Sequence, residues 1–455
     1  MSEEKRFPEG FVWGVATSSY QIEGAVDVGG RGESIWDVFC REPGRVHNGD
    51  DGSVACDHYH RYRDDVAMMK RLGVKAYRFS IAWPRIFPTG HETEPNEEGL
   101  AFYDRLVDAL LEAGITPWAT LYHWDLPATL GEEGGWTNRA VCDAFVRFTD
   151  AMTKRLGDRV KHWITHNEPW CSSILSYQLG EQAPGLKDWG ASLQAAHHIL
   201  LSHGMAMPVI RRNVPGAKAG ITLNLCPAWP ASPSEADATA TKWFDGWFNR
   251  WFLDPIYGRG YPADMVASYR AEDRLPGNWD TLIQPGDLET MSAEADFLGI
   301  NFYSRGIIRS DKIPEADNMP PTIHDSGVKT DMGWEVYAPS LTNLLLDLSR
   351  DYPVKEIVIT ENGCAYPDGP GEDGAIHDTR RVDYFAQHLA ACHAAIEQGA
   401  FLTGYFAWSL MDNFEWAFGY EKRFGLVHVD YETLERTPKD SALWYGAVMR
   451  SGVLP

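Results

Sequence analysis

Ile357-Val358-Ile359-Thr360-Glu361-Asn362-Gly363 is the stretch on which the fold turns. Three β-branched apolar residues run into a carboxylate, and a glycine then turns the chain. β-Branched runs favour extended backbone, and a strand that is apolar on both faces belongs in a parallel sheet covered on both sides. A buried parallel strand ending in Glu is how an α/β barrel brings an acid to its mouth. His162-Trp163-Ile164-Thr165-His166-Asn167-Glu168-Pro169 has the same form, with proline stopping the strand just after the carboxylate.

Outward from these two stretches, helix and strand alternate. Tyr62, Val66, Met69 and Leu72 fall at helical spacing, Gly73 closes that helix, and residues 75–81 read as the next strand. Leu100, Tyr103, Leu106 and Leu110, then Gly114, repeat the pattern before a strand over 116–123. Val141, Phe145, Phe148, Met152, Leu156 and Gly157 do so before 163–168. Residues 11–18 open the series, and 217–224, 295–301, 356–361 and 401–408 complete it. Roughly eight strands alternating with helices predict an α/β fold, a single-domain (β/α)8 TIM barrel. No linker divides the chain, so one domain over residues 1–455 is expected. Gly/Pro/Asp-rich segments at 310–334 and 363–378 read as long rim loops over the strand ends. Ser19-Tyr20-Gln21-Ile22-Glu23-Gly24 reads as a polar exit loop. Ser232-Pro233-Ser234-Glu235 reads as a capping box with proline at the first helical position. The helix it opens carries Trp243, Phe244, Trp247, Phe248, Trp251 and Phe252 on two adjacent i, i+4 rows, expected to pack on the barrel.

Formal net charge is −23, from 64 acidic against 41 basic residues, which argues against nucleic acid or an anionic membrane as partner. The start, Met1-Ser2-Glu3-Glu4-Lys5-Arg6, is polar and no apolar leader follows. No run of roughly 18 or more apolar residues suggests a membrane span. The 7 cysteines are scattered without CxxC spacing, which fits reduced thiols better than a disulfide frame or a zinc site. A cytoplasmic enzyme is the expectation. Asp57-His58-Tyr59-His60 has HxH spacing but precedes a helix instead of ending a strand, and no catalytic metal is expected.

A barrel gathers residues from the ends of different strands around one mouth. Here those residues are Gln21, Arg78, His123-Trp124-Asp125, Asn167-Glu168, Asn224, Asn301-Phe302-Tyr303, Glu361 and Trp408. Two carboxylates among hydrogen-bonding side chains and aromatics fit a neutral polyhydroxyl ligand, and two strand-end carboxylates are what glycoside hydrolysis needs. Arg78 lies inside an apolar strand and needs a buried partner, which the reading supplies as Glu361.

At these residues the chain resembles the retaining β-glycosidases of glycoside hydrolase family 1, over essentially its whole length. Thr165-His166-Asn167-Glu168-Pro169 looks like the family's acid/base motif, with His166 where an apolar residue often stands, and Ile359-Thr360-Glu361-Asn362-Gly363 like its nucleophile motif. Phe11-x-Trp13-Gly14-x-Ala16-x-Ser18-Ser19-Tyr20-Gln21-x-Glu23-Gly24, Tyr77-Arg78-Phe79-Ser80 and His123-Trp124-Asp125-Leu126-Pro127 resemble further blocks. So does Trp408-Ser409-Leu410-Met411-Asp412-Asn413-Phe414-Glu415-Trp416.

The resemblance implies that Glu361 attacks the anomeric carbon and that Glu168 protonates the leaving oxygen and then activates water. Gln21, His123, Trp124, Asn167, Asn301, Trp408, Glu415, Trp416 and Phe424 would hold the sugar, and Arg78 and Tyr303 would support Glu361. Cys171, Asn224 and Trp334 would line the aglycone side. It implies a β-glucosidase acting on cellobiose, short cello-oligosaccharides and aryl β-glucosides, with side activity on β-galactosides or β-fucosides and no cofactor. Glu415-Trp416 stands where phospho-sugar members carry small and cationic residues, so 6-phospho-β-glucosides are the alternative, and Lys422 is the residue that favours them. A non-catalytic sugar-binding barrel is the alternative from another class.

Overall fold

The computed structural model describes residues 5–311 and 325–455. Eight parallel strands close into a barrel in which sequence neighbours are spatial neighbours. They are β1 Val12–Ala16, β2 Ala76–Ser80, β3 Thr116–Tyr122, β4 His162–Asn167, β5 Lys218–Asn224, β6 Phe297–Asn301, β7 Ile357–Asn362 and β8 Leu402–Trp408. Helices of the successive crossovers surround them, each the last before the next strand except α5, which opens the crossover from β5 to β6: α1 His58–Leu72, α2 Glu97–Glu112, α3 Ala140–Leu156, α4 Trp189–Asn213, α5 Glu235–Asp245, α6 Pro339–Asp351, α7 Thr379–Glu397 and α8 Asp440–Ser451. Gly73 ends α1 at φ 86°, which an L side chain tolerates poorly, so the glycine sets where the chain leaves the helix for β2.

Each strand buries both faces. Inward side chains, among them Ala16, Trp118, Ile164, Phe297, Val358 and Phe406, form a small core inside the barrel. Outward ones such as Ile357, Ile359 and Trp163 join the larger core between barrel and helices. This two-sided burial is why the strands read as continuous apolar runs.

Three local readings are corrected. The helix α5 starts at Glu235, with Ser234, not Ser232, as the cap: Ser234 accepts from the Asp237 amide, and Pro233 stays outside the helix. Its aromatic stripe divides. The stripe runs on past α5 through Gly246–Arg250 and Trp251–Ile256: Trp251 and Phe252 are buried, whereas Trp243, Phe244, Trp247 and Phe248 are only half-buried. Ser19–Ile22 is a short buried helix, not an open polar loop. Gly157 follows α3 where it was expected to end, at φ −69°. Residues 312–324 of the first expected rim loop, and residues 1–4, lie outside the described residues.

Gly363, the residue after β7, makes a close approach that a side chain would forbid. A Cβ there would stand 1.8 Å from the Trp408 carbonyl oxygen. Gly363→Ala is expected to destabilise the protein by about 3 kcal/mol, because backbone has to part from backbone. It would also separate the ends of β7 and β8, which carry Glu361 and Trp408. A lowered urea-unfolding midpoint together with lost activity is the expected measurement, and a wild-type midpoint would show that the two ends part at no cost.

Candidate active site

Strand alternation alone does not aim the two glutamates at the mouth. Along β7, Val358 faces the barrel interior and Ile359 the helices. The pairing of β7 with both neighbours then shifts register between Ile359 and Glu361 or Asn362. Such an irregularity re-aims a side chain, and here it turns Glu361 toward the cavity. A matching shift lies between Ile164 and Asn167 of β4. There Thr165 and His166 both bond side chains of α4, His203 and Ser202 respectively. The polar His166 is thus accommodated in the helix layer, away from the mouth. Glu168 itself is held at φ 52°, and Trp124 and Trp416 at 78° and 52°, sparsely populated conformations for non-glycine residues that tend to cluster at functional sites.

Both carboxyls face one cavity of about 920 Å³ at the C-terminal ends of the strands. Arg78 donates to Glu361 Oε1 over 2.6 Å, to Asn167 Oδ1 over 2.6 Å and to the Thr360 carbonyl over 3.1 Å. Tyr303 donates its hydroxyl to Glu361 Oε2 over 2.6 Å. Asn301 Nδ2 donates to Glu168 Oε1 over 2.7 Å and to Asn167 Oδ1 over 3.0 Å. One network therefore joins Glu168, Asn301, Asn167, Arg78 and Glu361.

The network treats the two acids differently. Burial, and then the charge of Glu361, push Glu168 up to about 8. Burial also raises Glu361, but the Arg78 guanidinium and the Tyr303 hydroxyl oppose it. A proton shared between the pair therefore belongs on Glu168. Burial raises Tyr303 well above the usual phenol range, so it stays a donor to Glu361.

Asn167 Oδ1 already accepts from Arg78 and Asn301, so its Nδ2 is the atom that meets His123 Nε2 at 3.1 Å. Burial and the charge of Arg78 hold His123 well below its ordinary range, hence neutral. Its Nε2 accepts and its proton sits on Nδ1, a buried atom without a partner among the described residues. Glu415 Oε2 is likewise buried without one. Burial, and then Glu361 and Glu168, raise the Glu415 carboxyl. The loop that carries Glu415, Trp416 and Phe424 is pinned from below, where Asp412 accepts from Lys439 Nζ over 2.9 Å and Arg423 Nη1 over 2.7 Å.

The cavity wall holds His123, Trp124, Glu168, Asn301, Tyr303, Glu361, Trp408, Glu415, Trp416 and Phe424, together with Cys171, Asn224 and Trp334. Arg78, Asn167 and Gln21 lie behind it. The Gln21 amide is spent on Asn413 Oδ1 and the Phe414 carbonyl, so it braces the Glu415 loop. Lys422 does not line the cavity; it pairs with Asp331 and Glu421. The wall cations Arg45, Arg305 and Lys329 each hold a carboxylate, Glu42, Glu335 and Asp325. His58 and His60 are paired with Asp65 and Asp57 and do not line the cavity.

Sequence reading missed Trp170 and Phe248, which also line the mouth, with rings 4.4 Å apart and stacked. The half-buried rows of the α5 stripe were the available signal. Phe418, exposed at the rim, had none.

The model of the glycosyl hydrolase family 1 matches residues 3–453. Beta-glucosidase A of Acetivibrio thermocellus is 46% identical over 446 residues, 98% of each chain. A bifunctional beta-D-glucosidase/beta-D-fucosidase of Bifidobacterium breve is 45% identical over 460 residues, 96% of this chain and 97% of its own. The solved structure of a family 1 β-glucosidase from Thermotoga maritima superposes with TM-score 0.93 at 45% identity, covering 100% of both chains. With two carboxyls at the barrel mouth and matches along nearly its full length, the chain belongs to glycosyl hydrolase family 1.

Proposed function

We propose that this protein is a retaining β-glucosidase that removes terminal non-reducing β-D-glucosyl residues from cellobiose, short cello-oligosaccharides and aryl β-glucosides, one catalytic domain serving cellulose breakdown in the cytoplasm. The observation that carries the reading is that Glu168 and Glu361 line one cavity and are joined through Asn301, Asn167 and Arg78 in one hydrogen-bonded network. Two carboxyls that act on each other's charge suit the retaining separation of about 5–5.5 Å better than the wider inverting one.

Glu361 attacks the anomeric carbon as the glycosidic C–O bond breaks, and Glu168 gives its proton to the departing oxygen. Glu168, now a carboxylate, takes a proton from water as that water displaces Glu361. Asn167, held by Arg78 and Asn301, meets the 2-hydroxyl. His123 Nδ1–H and Glu415 Oε2 supply a donor and an acceptor for other hydroxyls, and Trp408 stacks under the ring. Gln21 acts through the Glu415 loop. Tyr303 and Arg78 keep Glu361 charged, and Cys171, Asn224 and Trp334 border the aglycone. The two carboxyls supply both nucleophile and acid, so the chemistry calls for no cofactor. The two names of the Bifidobacterium relative support β-fucosidase side activity.

A 6-phosphate would meet the Glu415 carboxyl, and among the described wall residues each cation is already paired. With 4-nitrophenyl β-glucoside, kcat/KM is expected to exceed that for its 6-phosphate by roughly a hundredfold or more, since a like charge in a closed site costs several kcal/mol. Preference for the phosphate would overturn this substrate class, and binding of cellobiose without turnover would revive the non-catalytic barrel.

A further inference from the structure

A buried hydrogen-bonded chain lies between β7 and α7. Asn362, the last residue of β7, is fully buried. Its Nδ2 donates to the Phe302 carbonyl over 2.7 Å and to the Tyr384 hydroxyl of α7 over 3.0 Å. That hydroxyl donates in turn to the Tyr303 carbonyl over 3.3 Å. The Tyr405 hydroxyl of β8 donates to Asn362 Oδ1 over 2.5 Å. A carbonyl can only accept, so Phe302 fixes the amide nitrogen toward itself and leaves the amide oxygen for Tyr405. The Phe302 amide donates to the Glu361 carbonyl over 3.0 Å. The backbone that carries Tyr303 is thus gripped from residues 361, 362 and 384.

We propose that Asn362 is a positioning residue for the nucleophile: by holding the Phe302 and Tyr303 backbone, directly and through Tyr384, it keeps the Tyr303 hydroxyl on Glu361 Oε2. The proposal rests on Glu361 being the nucleophile. It gives a role in the reaction to the residue beside it, whose own side chain turns away from the cavity.

The Tyr303 bond is short, 2.6 Å, and a hydrogen bond weakens steeply as its angle falls toward about 120°, so a small drift of the Tyr303 backbone is enough to weaken it. The ionisable groups around Glu361 are Arg78 on β2, Tyr303 after β6, Glu168 and Cys171 after β4, and Glu415 after β8. Arg78 and Tyr303 favour its charge, Glu168 and Glu415 oppose it when charged, and burial keeps Cys171 a neutral thiol. Around Asn362, burial holds the Tyr384 and Tyr405 hydroxyls well above the usual phenol range. It pushes His388, stacked on Tyr384, down to about 4. Losing the Tyr303 bond takes a donor from the charged form of Glu361. Glu361 then takes up its proton at higher pH, and the acidic limb moves upward while the alkaline limb stays.

The test is the pH dependence of kcat/KM for 4-nitrophenyl β-glucoside in wild type, Asn362→Ala, Tyr384→Phe, Tyr303→Phe, and Asn362→Ala combined with Tyr303→Phe. Tyr303→Phe sets the full upward shift of the acidic limb. Asn362→Ala is expected to give roughly 0.5 to 1 unit of it, a three- to tenfold change in proton affinity. Tyr384→Phe moves the limb in the same direction by less. In the double variant the limb should sit where Tyr303→Phe alone puts it, because the hydroxyl that Asn362 positions is already gone. A limb that stays in place in Asn362→Ala, or that moves again in the double variant, overturns the role of Asn362. Tyr384→Phe keeps its ring and carries the same comparison, alone and with Tyr303→Phe, should Asn362→Ala fail to fold. Trapping the glycosyl-enzyme with 2,4-dinitrophenyl 2-deoxy-2-fluoro-β-glucoside, read by peptide mass, separates the two claims. A label on a residue other than Glu361 removes the nucleophile reading and this proposal with it. A label on Glu361 with an unmoved acidic limb removes the proposal alone.

Discussion

Glu361→Gly is expected to lower kcat on 4-nitrophenyl β-glucoside by roughly five powers of ten or more, the scale seen when a catalytic nucleophile is deleted. Added azide should restore turnover and yield a glucosyl azide of inverted, α configuration. The geometry makes both parts follow. Glu361 approaches the anomeric carbon from the face opposite the leaving group, and without it no covalent intermediate forms. Glycine leaves room for a small anion at the same place. Arg78 keeps its bonds to Asn167, Thr360 and Thr120 but loses its carboxylate, so a buried guanidinium waits beside that room. An unpaired buried charge costs about 3–5 kcal/mol. The variant should therefore unfold at lower urea than wild type, and azide should raise its midpoint as it restores activity. A retained, β-glucosyl azide from this variant would mean that the two glutamates exchange roles. A folded variant that azide does not rescue would mean that Glu361 is not the nucleophile.

The barrel was legible because parallel strands buried on both faces leave apolar runs, and each predicted strand lies within about two residues of the observed one, the precision usual for element boundaries. Which side chains face each other was legible only in part. Arg78 announced a buried partner because a cation inside an apolar strand cannot stand alone, and Glu361 is that partner. The register shifts in β4 and β7 left no composition signal, since they are properties of strand pairing, yet they turn Glu168 and Glu361 into the mouth. Asn301 shows the same limit. Its place at a strand end marked it as a sugar contact, but its grip on Glu168 and Asn167 depends on the ends of β4 and β6 meeting in space. The Glu235 start of α5 was missed because two serines flank Pro233, and the choice between them rests on which hydroxyl meets the Asp237 amide. Gln21 was expected against the ligand and instead braces Phe414 and Asn413. Its amide is consumed by a loop nearly four hundred residues away, which no local pattern encodes.

Glu168→Gln is expected to lower kcat/KM for cellobiose by roughly a hundred- to ten-thousandfold, the usual contribution of a placed acid, and to abolish the alkaline limb of the pH profile. In wild type the limb should fall near 8, where burial and Glu361 set the Glu168 carboxyl. The acid acts in its protonated form. A raised pKa therefore keeps activity through neutral pH, and activity is lost as pH rises through that value. The acidic limb has the opposite origin: as pH falls, Glu361 takes up a proton and ceases to be a nucleophile. Glutamine cannot ionise, so in the variant only the acidic limb remains. The loss should also depend on the leaving group. A sugar alkoxide must be protonated as it departs, whereas 2,4-dinitrophenolate leaves readily without a proton, so turnover of the dinitrophenyl glucoside should fall far less. Glu168→Ala with azide gives the complementary product. The anion enters from the Glu168 side, attacks the glucosyl-Glu361 ester, and produces the azide of retained, β configuration. An alkaline limb that survives in Glu168→Gln, or an equal loss with both leaving groups, would contradict the assignment of Glu168 as the proton donor, because either result requires the departing oxygen to find its proton elsewhere.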